Sequence, residues 1–188
     1  MADRLYLSYW LRGFTSSNML RQFEKALARF PFSKLTAAAP ALRIYAVSFR
    51  EPPLEAPLPN PPDPGSLLAP AREFVHADAC LQIEAYWDLW SWETDWSLKP
   101  SRVLLECFGP EFEDAESGVN LRLEFGLEDQ FLVLPGGHGA VMVRANVQSL
   151  LRLVHYLDEA LPVEKRLLWS ESGGNFADRL QSSLREAG

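Results

Sequence analysis

Alternation of apolar and polar residues marks the first element of the chain. Leu5, Leu7, Tyr9 and Leu11 alternate with Tyr6, Ser8, Trp10 and Arg12, the period-two pattern of a strand with one buried face. Thr15 to Asn18 then offers N-caps to a segment whose Met19, Leu20, Phe23, Leu27 and Phe30 fall on one helical stripe, and Pro31 closes it. Leu42, Ile44, Ala46 and Ser48 resume the alternation against Arg43, Tyr45, Val47 and Phe49, predicting a second strand to about Arg50. The longest alternating run follows, with Ala79, Leu81, Ile83, Ala85, Trp87 and Leu89 against Cys80, Gln82, Glu84, Tyr86, Asp88 and Trp90.

Residues 101–108 and 119–125 repeat the pattern, with Val103, Leu105, Cys107, Leu121, Leu123 and Phe125 inward, and read as a hairpin joined by an acidic loop. Residues 131–134 and 140–144 flank Pro135 to Gly139 and read as a shorter hairpin. Asn146 is the expected N-cap of a helix with Val147, Leu150, Leu151, Val154, Leu157 and Leu161 on one side, ending at Pro162. Leu167 to Trp169 form a short helical or extended piece. Asn175 and Asp178 open a last helix bearing Phe176, Leu180 and Leu184.

Eight of the 14 prolines lie between residues 51 and 70, so neither helix nor strand ladder is expected through that stretch. The segment reads as an extended loop, with Leu54, Leu58, Leu67 and Leu68 available to pack down. The order of elements predicts an α+β fold with a mainly antiparallel β-sheet, amphipathic helices packed on one face, a β-α-β start and a helical C-terminus. Residues 1–188 are expected to form a single α+β domain carrying the proline-rich loop at 51–70.

Charge narrows the partners. Eighteen Lys and Arg against 25 Asp and Glu give a formal charge of -7, the wrong sign for a phosphate-backbone footprint or an anionic membrane surface. No nucleic acid and no membrane partner is expected, and the absence of an export pattern predicts a cytoplasmic protein. Two cysteines, Cys80 and Cys107, without C-x-x-C spacing predict free thiols. No cofactor is expected, since phosphate-loop, dinucleotide, nucleophile-elbow and kinase motifs are lacking.

Two features carry candidate chemistry. The face opposite the apolar one gathers rings and charges: Tyr6, Trp10 and Arg12, then Arg43 and Tyr45, then Glu84, Tyr86 and Asp88, then Glu106, Arg122 and Glu124. Such a set can line a ligand groove, or it can be cross-strand ion pairing and ring packing on a solvated sheet face. The second feature is residues 86–96, which hold four of the six tryptophans, including Trp90 and Trp92. Tryptophan couples a large apolar area to one N–H donor and anchors interfaces, whereas the bland alternative is a core Trp87 with the others folded over the sheet edge.

These features favour a non-catalytic domain that binds a protein partner or a second copy of itself. The rival is a small-molecule-binding protein or enzyme with Glu84, Glu106 and Arg122 as polar groups in a groove on the sheet. Of the histidines, His155 reads as a surface residue and His138 as part of a turn, while His76 and Asp78 point one way from a strand and could join Glu84. Glu111, Glu113, Asp114 and Glu116 read as a solvated hairpin tip.

Overall fold

The computed structural model describes residues 3–63, 65–133, 139–171 and 176–186. Strands form at Arg4–Leu11 (β1), Ala41–Ala46 (β2), Leu54–Pro57 (β3), Ala79–Trp92 (β4), Trp96–Phe108 (β5), Leu121–Leu127 (β6) and Val163–Ser170 (β7). Helices form at Ser16–Leu27 (α1), Ala140–Ala160 (α2) and Phe176–Glu186 (α3). The strands make one antiparallel sheet in the order β3-β2-β4-β5-β6-β1-β7, so the α+β class stands. No described helix is long and apolar enough to cross a membrane.

Alternation places the core. Leu81, Ile83, Ala85, Trp87 and Leu89 of β4 share the helix-covered face with Leu5, Leu7 and Tyr9 of β1 and with Leu121, Leu123 and Phe125 of β6. Met19, Phe23 and Leu27 of α1, Val147, Leu150 and Leu157 of α2, and Phe176 and Leu180 of α3 close over them. Burying each such side chain contributes about 1.5–3 kcal/mol, which accounts for helix formation better than local propensity does. Thr15 caps α1, its N–H donating to Asn18 Oδ1 at 3.0 Å.

Several boundaries differ from the sequence reading. β2 stops at Ala46 because Val47 adopts φ 67, a left-handed conformation unfavourable for a β-branched residue. Backbone bonds hold it there: the Val47 N–H donates to Asp78 O at 2.8 Å, and its carbonyl accepts the Glu113 N–H at 2.9 Å. The proline-rich stretch does form ladder, since β3 pairs with β2 from Ala41↔Pro57 to Ile44↔Leu54. It does so at the sheet edge, where a proline's missing donor faces no neighbour.

Residues 140–144 are the first turns of α2 and not a strand, so the shorter hairpin is absent; of its turn, residues 135–138, including His138, lie outside the described residues, as do Gly173, Gly174 and Asn175. Leu167 to Trp169 are extended, within β7. Leu151 of α2 faces solvent, and Leu153 takes the buried position instead. Asn146 is no cap. It lies buried within α2, where Oδ1 accepts the Trp90 N–H at 2.8 Å and Nδ2 donates to the carbonyls of Trp90 at 2.8 Å and Gln130 at 2.9 Å.

Candidate functional site

On the open sheet face, strand register decides which charges meet. Arg43 of β2 lies opposite Gln82, Gln82 opposite Glu106, and Glu106 opposite Arg122, so one row crosses four strands. Arg43 bonds Glu55 at 3.0 Å, Glu84 at 3.1 Å and Gln82 at 3.4 Å; Gln82 Nε2 donates to Glu106 at 2.9 Å, and Arg122 reaches the other Glu106 oxygen at 2.7 Å. Arg102 adds a second pair to Glu84, and Arg122 a second to Glu116. Glu106 is 4% exposed, and the Arg122 guanidinium lies over the Tyr6 and Phe108 rings at 5.8 and 5.1 Å.

Electrostatics follow from this network. Burial pushes the Glu84 carboxyl up, but the Arg102 and Arg43 donors outweigh it and hold the group below its ordinary value. Glu124 goes the other way: burial dominates its ion pair with Arg4 and raises its carboxyl. Burial also drives the Cys80 and Cys107 thiols far up, so neither is an activated nucleophile. Among the described residues, no group of three His, Cys, Asp or Glu is placed to hold a metal ion. His76 and Asp78 precede β4 instead of lying on it, and His76 is exposed.

Toward β1 the open face is covered. Trp169 of β7 stacks on Tyr6 at 4.5 Å and donates Nε1–H to Ser8 at 3.0 Å. Trp10 donates to Ser117 O at 3.0 Å beneath the Lys165 ammonium, 4.4 Å from its ring. Tyr45 packs edge-on to Phe49 beside buried Phe108 and Phe112. The acidic loop keeps Glu111, Glu113 and Glu116 exposed but is tied down: Phe112 anchors it on this face, Asp114 accepts the Phe49 N–H at 2.7 Å and Glu116 pairs with Arg122. Arg12 lies outside the face, in the turn after β1, beyond a register break between Trp10 and Leu11.

The tryptophan-rich segment behaves differently. β4 and β5 pair from Cys80↔Phe108 to Trp92↔Trp96, but β2 accompanies β4 only to Glu84, and β6 pairs with β5 only from Leu104 to Cys107. Residues 85–92 and 96–103 therefore form an arm running past both neighbouring strands. Trp87 and Leu89 bury one side of it, while Tyr86, Trp90, Trp92, Leu98 and Pro100 alternate onto the other. Trp92 is 59% exposed and Leu98 42%, whereas Trp96 turns against Gly139 and the core. Asp88 serves as a loop anchor, accepting the Ser33 hydroxyl and, at 2.9 Å, the Lys34 N–H.

Leu98 and Pro100 escaped the sequence reading, which began this strand at Ser101. The available signal was the alternation of Trp96, Leu98 and Pro100, which continues into Arg102 and Leu104 and is obscured by the proline. Comparisons with protein-family models, with curated proteins and with solved structures each find no match to this chain.

Proposed function

We propose that this chain is a non-catalytic interaction domain that pairs with a second copy of itself through the open side of the β4–β5 arm. The observation that carries this reading is the exposed Trp92 beside Leu98, two large apolar side chains left uncovered on an arm whose opposite side is core. A two-fold interface must be self-complementary, each patch meeting its own copy. The arm meets that requirement: Glu93 and Lys99, paired at 2.5 Å, give its end one charge of each sign, so two arms side by side exchange partners without repulsion.

Along β4, face-to-face packing is favoured over strand addition. The outer edge of β4 is occupied, since Tyr86 O accepts the Ser33 N–H at 2.7 Å and Asn146 holds both backbone groups of Trp90. The rival reading, a catalytic or small-molecule groove on the sheet, loses support because Glu84, Glu106 and Arg122 are engaged by other protein groups. The test is a double variant, Trp92→Ser with Leu98→Ser, studied by light-scattering mass and thermal unfolding. Loss of dimer with an unchanged melting temperature supports the proposal. Retained dimer assigns the contact elsewhere, and a large loss of stability makes the two residues structural.

A further inference from the structure

A cleft of about 210 Å³ opens on the helix side, where the end of α1, the loop after it, the edge of β4 and the middle of α2 meet. Three cations line it from three different segments: Arg29 after α1, Lys34 in the loop and Arg152 on α2. In a chain of net charge -7, most arginines with a carboxylate nearby use it, as Arg43, Arg102, Arg122 and Arg179 do. Arg29, Lys34 and Arg152 form no ion pair among the described residues. The cleft's own carboxylate, Asp88, is already engaged by Ser33 and the Lys34 backbone. With three cations and one carboxylate in its lining, the cleft presents net positive charge on a concave surface.

The wall of the cleft supplies a second, independent observation. Trp87 lines it, is 1% exposed, and its Nε1–H has no acceptor among the described residues. A buried donor left unpaired costs about 1–3 kcal/mol, and an acceptor arriving from outside the chain removes that cost. Pro31, Phe32 and Leu153 supply apolar wall, and Ser149 and Tyr156 complete the lining. The volume is of the order of the ~150 Å³ apolar cavity that admits benzene, so the cleft has room for one substituted ring.

We infer that this cleft binds a single-ring aromatic carboxylate, its ring against Phe32 and Leu153 and its carboxylate accepting from Arg29, Lys34, Arg152 and the Trp87 indole N–H. The arginines provide planar donor pairs that match a carboxylate edge. The site is separate from the proposed self-association surface, which lies on the other side of the arm, so either can fail without the other.

The test uses benzoate as the probe and benzamide as its uncharged isostere, following the six tryptophan indole N–H resonances of the full chain. Benzoate is expected to shift the assigned Trp87 resonance saturably, and benzamide is expected to leave it in place. Arg29→Gln with Arg152→Gln, both exposed positions whose loss leaves the core intact, is expected to weaken benzoate binding roughly ten-fold or more. Equal binding of benzamide, an unmoved Trp87 resonance, or unchanged affinity in the double variant each overturns the inference. Saturation by inorganic phosphate with the same Trp87 shift overturns the aromatic part, because no ring is then required.

Discussion

Arg122 shows how one residue decides what the open face is for. Its guanidinium joins Glu106, which is 4% exposed, to Glu116 and covers two aromatic rings. Removing one member of a buried pair leaves an uncompensated charge, so Arg122→Met is expected to cost about 3–5 kcal/mol, read as a lower urea midpoint. A change near zero would show that Glu106 does not depend on it and would return the face to the candidate ligand sites. Glu124 predicts the opposite sign. Its carboxyl is raised above 4.5 by burial, so the ionised group destabilises the fold at neutral pH, and this penalty disappears as pH falls below that value. Glu124→Gln is therefore expected to melt higher than the parent at pH 7, with the gap closing toward pH 4.5; a lower melting temperature at pH 7 would contradict the burial argument. At this scale the sequence announced which residues share the face but not their bonding, because Gln82 becomes a bridge only once β2 and β5 flank it. Asn146 carries the local signature of an N-cap, and nothing near it in sequence reveals that its amide closes the edge of β4.

Elements were legible where alternation is long and uninterrupted, as in β1 and β4, and blurred where a neighbour in space sets the boundary. β3 exists because β2 offers an unpaired edge, and this outweighs its poor strand composition. The start of α2 reads as a strand because Val141 and Val143 alternate with Met142 and Arg144, and only the stripe continuing through Val147 and Leu150 resolves the ambiguity. The turn out of β5 is set by a close approach that sequence cannot show. A Cβ on Gly109 would meet Ala77 O at 2.2 Å and Ala79 O at 2.8 Å, both backbone atoms unable to yield. Gly109→Ala is expected to lose roughly 1–3 kcal/mol or more with an unchanged denaturant slope, measured by urea unfolding. Wild-type stability in that variant would mean that the β4–β5 junction tolerates displacement, and with it the seating of the acidic loop.

For the molecule as a whole, the sheet order divides the labour. Chain termini and middle meet because β1 inserts between β6 and β7, while β2 and β3 close the other end against β4. That arrangement gives the open face a covered end at β1, a cross-linked polar centre, and an arm at β4–β5 that neither neighbouring strand accompanies. Composition pointed to the arm through its tryptophans, yet it could not separate Trp87, which is core, from Trp92, which is exposed, without the alternation along β4. The most direct measurement is sedimentation equilibrium of the unmodified protein over a wide concentration range. Self-pairing through the arm predicts an apparent mass that rises with concentration from one chain to two and stops there. A single-chain mass at every concentration would contradict it.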